Sequence, residues 1–417
     1  MGGIITTKNR EVYKYLNYNI KMNLLNGITF SIGYNMIMPF VGIFAIKLGA
    51  NNYEVSLINS LPALMALIGI LPATIFINRA KNVFKFAYVL EYITRSFYLL
   101  VALVPFMSKF RPEAVVLFVG LLNLPAIVAG MCWQSFMSDL IPEEFRGKVF
   151  ADRNIWTGVL GTAAVFITGI LLDRIKFPYG YQIMFFIAFL FGILDAYYYS
   201  KFHYVSHKKE ASASILDSLK TMMQSRKFIY FSLASFIFTF TWMMAWPIFT
   251  IYKVDDLHAN NMWMSISTIV GSVGSIITYK WWANLADRKG NGIALSISTL
   301  LISTIPALWA KVTSLYVGAV IDFFGGMATA GYTMLSLNWL LELLPDHKEK
   351  MNYIAIYTIV TQFAAFLSPI AGTWFYEIVG YETFMYVTTV LRVLSSVLLF
   401  AVALYKPEKT VLSKGGV

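Results

Sequence analysis

Apolar residues in this chain run in long blocks separated by short polar turns. A bilayer core about 30 Å thick takes about 20 residues of helix, so each block is long enough to cross it. The pattern predicts helices over 24–46, 54–77, 84–107, 113–140, 148–172 and 180–200, then over 228–252, 262–284, 292–311, 314–341, 351–376 and 382–405. The expected fold is an all-α polytopic membrane protein. Its twelve transmembrane helices form two pseudo-symmetric six-helix bundles, residues 24–200 and 228–405. Residues 1–23 and 406–417 are expected as tails, and 201–227 as a polar linker. In the linker Ile215, Leu219, Met222 and Met223 recur at helical spacing, which reads as an amphipathic helix on the membrane surface.

The two-bundle reading rests on a repeat. Residues 48–82 align without a gap on residues 257–291. Leu48, Ala50, Asn51, Asn52, Ser56, Arg79 and Asn82 recur as Leu257, Ala259, Asn260, Asn261, Ser265, Arg288 and Asn291. Pro39 is echoed by Pro247, and Gly169 by Gly372. Asn52 is the expected N-cap of the second helix, with Glu54 in its first turn. A duplicated membrane bundle is the usual architecture of a secondary transporter.

Charge fixes the expected orientation. Of 417 residues, 58% are hydrophobic and 13% charged, against about 25% charged in a soluble domain. The net charge of +11 would suit nucleic acid, but the basic residues crowd into alternate loops. One set includes Arg79, Lys81, Lys85, Arg146, Lys148, Arg153, Lys208, Lys209, Arg288 and Lys289; the other holds only Lys47, Lys109, Arg111, Arg174, Lys176, Lys253 and Lys311. The positive-inside rule then puts both termini in the cytoplasm of a multi-pass protein of the inner or plasma membrane. Membrane lipid is its surroundings, and no nucleic-acid partner is expected. The single cysteine, Cys132, forms no intramolecular disulfide, and the four histidines fall in loops. With no phosphate loop, nucleophile elbow or metal-ligand spacing, the expectation is no enzyme, no cofactor and no metal.

The segment Ala283-Asn284-Leu285-Ala286-Asp287-Arg288-Lys289-Gly290-Asn291 resembles the loop signature Gly-x-x-x-Asp-Arg-x-Gly-Arg of the major facilitator superfamily. Asp139…Pro142-Glu143…Arg146-Gly147 and Ser368-Pro369…Gly372 resemble that superfamily too. The first copy of the loop, Asn78-Arg79-Ala80-Lys81-Asn82, lacks the glycines and the acid. The resemblance implies alternating access to a central cavity lined by the first, fourth, seventh and tenth helices. Substrate-binding candidates on those helices are Asn26, Tyr34, Asn35, Asn123, Gln134, Trp242, Trp246, Asp322 and Tyr332, joined by Tyr357 and Gln362 from the eleventh. An aromatic cavity with few fixed charges suits an amphipathic or cationic organic molecule; the alternative is aromatics that merely pack or form an interfacial belt. The resemblance also implies an inner gate. In it Arg79 meets Asp139, Arg288 meets Glu342, and Asp287 lies near 148–153, with Arg146 and Gly290 in the same loops.

Charges inside the apolar blocks need partners. Glu91 and Arg95 are one turn apart, and Asp195 sits at similar depth; the trio reads as a structural clasp or a proton relay. Arg392 has no charged partner evident, so it snorkels, binds lipid headgroups or meets backbone carbonyls. Asp322 lies about 12 Å below the outer surface at ~1.5 Å per residue and is the candidate proton-coupling acid. The resulting expectation is a monomeric, proton-coupled exporter of a small organic solute. Solute uptake is the alternative, and a non-transporting sensor or lipid-handling protein is the alternative of a different class.

Overall fold

The computed structural model describes residues 7–79, 83–204, 219–220, 223, 225–343 and 350–405. Helices among them are α1 Thr7–Ile37, α2 Val41–Lys47, α3 Asn52–Arg79, α4 Val83–Leu103, α5 Arg111–Leu140, α6 Glu143–Arg174 and α7 Tyr179–Ser200. They continue as α8 Arg226–Met243, α9 Trp246–Ile251, α10 Asn261–Lys289, α11 Asn291–Trp309, α12 Leu315–Glu342, α13 Lys350–Val379 and α14 Tyr381–Leu404. Eleven spans among the described residues are long and apolar enough to cross a membrane. The 28-residue α12 is not among them, because Asp322 and four glycines dilute its apolar run. α1 starts at Thr7, well before the expected residue 24, since nothing between the two breaks a helix. The expected amphipathic linker helix and the tail 406–417 lie largely outside the described residues.

Two of the spans are broken, each at a proline that lacks the N–H a helix needs. α1 gives way to a 3-10 turn, Met38–Phe40, and resumes as α2. α8 stops at Met243 and α9 begins with Trp246-Pro247. That second break interrupts the hydrogen-bond ladder just past Thr241 and Trp242. Arg392 of α14 supplies what the ladder lacks. Its Nε donates to Thr241 O at 3.1 Å, its Nη2 to Trp242 O at 2.6 Å and its Nη1 to Ile302 O at 3.4 Å. Of the three roles open to Arg392 it takes the third; it is 1% exposed and has no acidic partner among the described residues.

In the first half α1 packs on α6 and α7, and α3 and α4 on α5; in the second α10 packs on α12, α11 on α12 and α14, and α8 on α13 and α14. The halves meet along α3–α13 and α6–α10. Each seam begins at one copy of the repeat. Asn51 caps α3 by accepting from Glu54 N at 3.0 Å, while Glu54 Oε2 accepts from Asn51 N at 2.7 Å, a reciprocal capping box. The cap is therefore Asn51 and not the expected Asn52. Asn52 is the first helical residue and its amide reaches Glu377 of α13 at 3.2 Å. One turn on, the Ser56 and Thr373 hydroxyls bond across the same seam.

The second copy repeats the division of labour. Asn260 caps α10 through Trp263 N at 3.0 Å, and Asn261 crosses to the first half. Asp173 at the end of α6 accepts from Asn261 N at 3.0 Å, Asn261 Nδ2 at 2.8 Å and Met262 N at 2.9 Å. Its negative charge thus sits on the N-terminus of α10, where the helix dipole favours it. Tyr181 donates to Asn261 Oδ1, and Ser265 Oγ donates to Val165 O at 3.0 Å.

The break in the α8–α9 span generates a test. Arg392→Ala strands the two carbonyls of the break and that of Ile302 in an apolar interior, at about 1–3 kcal/mol for each buried unsatisfied group, and should lower the thermal unfolding midpoint in detergent by several degrees. Arg392→Lys, whose single ammonium cannot span both carbonyls, should fall between. An Arg392→Ala protein that unfolds at the wild-type temperature would show that the break holds itself.

Candidate functional site

A cavity of about 490 Å³ lies between the halves, within the range of about 300–1,000 Å³ usual for small-molecule sites. Its walls are unequal in chemistry. The first half contributes Met38, Pro39, Gly42, Val55, Ile58 and Asn59, none of them charged. The second half contributes aromatics, a row of hydroxyls and every charge among the described lining residues.

Small residues build that second wall. α10 and α12 cross where Gly271 and Gly274 face Asp322, Phe323 and Gly326; a Cβ on Gly326 would collide with the Gly271 carbonyl. Close backbone approach through glycine is a common membrane packing device. Side chains lock the crossing, with Ser275 Oγ donating to Gly326 O at 2.8 Å and Trp282 Nε1 to Met327 O at 2.8 Å. The glycines after Asp322 thus admit a neighbouring helix. On the cavity side α10 presents Ser267, Thr268, Ser272 and Ser275.

Lys253 enters from a π-turn, Tyr252–Asp256, that ends the α8–α9 span. The turn is pinned because Tyr252 stacks on Tyr381 at 3.7 Å and donates to Val312 O at 2.7 Å. It leaves Asp255 and Asp256 exposed and buries Lys253, which is 9% exposed. The ammonium lies 2.7 Å from Asp322 Oδ2, 3.3 Å from Ser267 Oγ and 4.8 Å from the centre of the Trp309 ring. Lys253, which the loop charge count placed outside, is therefore inside the cavity. A cationic solute cannot meet Asp322 without displacing an ammonium already there.

Of the expected substrate residues, Trp242, Trp246 and Asp322 line this cavity. The two tryptophans meet edge to face with centroids 6.0 Å apart. The other described ones stand outside its lining. Asn35 and Asn123 donate to carbonyls of their own helices, Ser31 O at 2.8 Å and Val119 O at 2.7 Å, the usual fate of a mid-helix amide without a better acceptor. Tyr357 stacks on Phe231 with centroids 5.2 Å apart, and Tyr332 packs on Trp242 at 4.8 Å. Tyr34 is half exposed beside Phe30, and Gln362 is half-buried on α13. The side chain of Gln134 lies outside the described residues. Sequence reasoning missed Lys253, Trp309, Arg392 and the hydroxyl row. The hydroxyls were visible as a helical stripe of Ser and Thr in an otherwise apolar block.

Asn26 belongs to the buried charge cluster. Its amide donates to Asp195 Oδ1 at 2.5 Å. Arg95 joins Glu91 at 2.6 Å and Asp195 at 2.8 Å. Arg153 of α6 reaches Asn26 Oδ1 at 3.4 Å and lies over the Trp133 ring at 4.8 Å. One guanidinium thus serves two carboxylates, and four helices, α1, α4, α6 and α7, meet at the cluster. In the loops of the expected inner gate, Glu342 accepts from Asn291 Nδ2 at 2.5 Å and forms no ion pair with Arg288. Asp287 and Arg288 are exposed, Gly290 ends α10 at φ +85°, and Arg146 donates to Ile141 O at 2.8 Å. The side chains of Arg79 and Asp139 lie outside the described residues.

Solved structures of similar shape are transporters. A mutant form of the nucleoside transporter NupG superposes with a TM-score of 0.69 at 12% identity, over 93% of this chain and 99% of that one. NupG itself gives 0.67 at 14% identity, over 94% and 100%. A bacterial homologue of the human lysosomal transporter Spinster, inward-facing and unoccupied, gives 0.68 at 13%, over 93% and 97%. No curated protein matches the sequence. The Major Facilitator Superfamily model matches residues 24–321 and again 231–416, so the two bundles, the seams between them and the cavity they enclose are those of a chain that belongs to the major facilitator superfamily.

Proposed function

We propose that this protein is a secondary active transporter that carries a small organic solute across the cell membrane by alternating access, with protons as the coupling ion. The observation that carries the reading is the cavity itself. It lies between two similar halves, and hydrogen-bonded seams tie those halves at the end bearing residues 48–52 and 257–261. Rocking one bundle against the other around a fixed site is how duplicated transporters work. The similarity to NupG and to the Spinster homologue supports solute transport as the class. Asp322 is the coupling acid in this reading, being the one carboxylate among the described cavity residues. Either export or uptake can use the same site, according to whether solute and proton move on opposite strokes or on the same one.

The reading takes α12 as a twelfth span. At ~1.5 Å per residue its length is about 42 Å, more than a hydrocarbon core of about 30 Å, and it packs on α10 and α11 within the second half. Loop charge puts both termini and residues 201–227 on the cytoplasmic side. Protease added to sealed right-side-out vesicles should leave 201–227 uncut; cleavage there inverts the topology.

Alternating access predicts that weakening the seams exposes the cavity to the other side. Asn59→Cys, in a Cys132→Ala background, puts a reporter on the cavity wall one turn below Ser56. Adding Asp173→Ala and Thr373→Val removes seam bonds worth about 0.5–1.5 kcal/mol each. Labelling of the reporter by an impermeant maleimide from outside should rise about tenfold or more, since ~1.4 kcal/mol is a factor of ten, and labelling from inside should fall. A reporter that never labels from outside in either protein ends the alternating-access reading.

A further inference from the structure

The charges on the cavity wall do not cancel. Lys253 and Asp322 neutralise each other at 2.7 Å. Arg392 adds a positive charge whose acceptors are three neutral carbonyls. Nothing else among the described lining residues is charged. α10 faces the chamber with Met264, hydroxyls and glycine, α11 with Ile302, Ile305 and Trp309, and the first half with uncharged side chains. The cavity therefore holds one net positive charge in surroundings of low dielectric, where a charge acts over a longer range than in water. A cation would enter against that field and then have to expel Lys253 from Asp322. An anion is drawn in.

We propose that the solute is an organic anion with a flat apolar body, and that Lys253 exchanges Asp322 for the anionic group of the solute. This rests on the transport reading and names its substrate class. The ammonium is suited to the exchange. It has three N–H groups on a flexible four-carbon stem, and Asp322 and Ser267 occupy two of them. Trp242 and Trp246 supply aromatic walls for the body, while Trp309, 1% exposed, lies behind the ammonium. Arg392 stays on its carbonyls and contributes field without contact, because it is closed off by its own packing.

The exchange carries its own proton balance. Before it, Lys253 and Asp322 are a neutral pair. After it, Lys253 is paired with the solute, and Asp322 is a carboxylate on a largely apolar wall with no cation against it. A carboxylate stripped of its partner away from bulk water is unfavourable, and a proton from water relieves that cost. The bound state is then solute anion, charged Lys253 and neutral Asp322. One anion and one proton have entered together, with no net charge moved. The groups facing Asp322 that bear on its protonation are Lys253 from the π-turn and Arg392 from α14, since α10 and α11 bring no titratable side chain to this wall.

The test uses three size-matched probes on the purified full-length protein: 1-naphthoate, 1-naphthalenemethanol and 1-naphthylmethylammonium. Thermal shift and tryptophan fluorescence read binding, and a pH indicator in weak buffer reads proton exchange. Naphthoate should bind tenfold or more tightly than the neutral alcohol, with the ammonium weakest, and should take up about one proton as it binds. Asp322→Asn removes the competitor for Lys253, so it should tighten naphthoate several-fold and abolish the proton uptake. Lys253→Gln should erase the preference for naphthoate over the alcohol. The double variant Lys253→Gln/Asp322→Asn leaves neither partner of the pair charged, so it should abolish the proton uptake and keep only the part of the preference that the Arg392 field supplies. The proposal is overturned if the ammonium binds best, if the three probes bind alike, if naphthoate gives no response, or if it binds without proton uptake. The outcomes separate from those of the labelling experiment. Naphthoate binding without alternating exposure keeps the anion site and ends the transport reading; alternating exposure with a preference for the ammonium ends only the anion assignment.

Discussion

A charge inside a bilayer-spanning bundle must be met by protein, and this molecule meets that demand in three different ways. Arg95 is shared between two carboxylates and draws helices of the first half into a closed knot. Arg392 has no acid and is spent on backbone carbonyls that a broken helix leaves open. Lys253 and Asp322 are matched one to one, but on the wall of a cavity, with Asp322 partly accessible. The first two arrangements are buried in the packing, and exchanging a partner there would require unpacking helices. The third borders free space, so its partners can be exchanged without dismantling the bundle. Chemistry that must change during a working cycle can be placed only there.

The unequal division between the halves follows from the same demand. The first half gathers its buried charge in the knot at Arg95, and its cavity face among the described residues is uncharged. The second half has a proline break, a π-turn and a glycine crossing close together, and these irregularities bring Lys253, Asp322 and Arg392 to one chamber. Backbone departures of this kind are tolerated in a membrane only where protein or a cavity satisfies the freed groups. The Arg392 fork does that here for the proline break.

Much of the architecture was legible in the sequence because it depends on local pattern. Apolar blocks gave the spans, and the repeat gave the halves. The Asn-Asn pair with Ser four residues on was legible as a repeat and a helix start, but not as the seam between the halves; which asparagine caps and which crosses depends on where the partner helix stands. The site was less legible. Lys253 lies at the end of an apolar block, and only a π-turn decides that it faces inward. Asn26 reads like a cavity residue until Asp195 arrives from 169 positions away. Asn35 and Asn123 read the same way and are satisfied within their own helices. Backbone carbonyls were one of three roles open to Arg392, and choosing among them needs to know which carbonyls α8 gives up.

The two seams share an ancestry in the repeat but not a strength. At α6–α10 a carboxylate grips three N–H groups at a helix start, with Tyr181 and Ser265 beside it. At α3–α13 an exposed amide–carboxylate contact and one hydroxyl pair stand in the same place. Charge-assisted bonds are roughly twice as strong as neutral ones, and there are more of them on the first side. The polar part of the closure at this end is therefore lopsided despite the pseudo-symmetric chain path. The α6–α10 edge is held by a carboxylate on a helix start, and the α3–α13 edge by the longer run of helix packing.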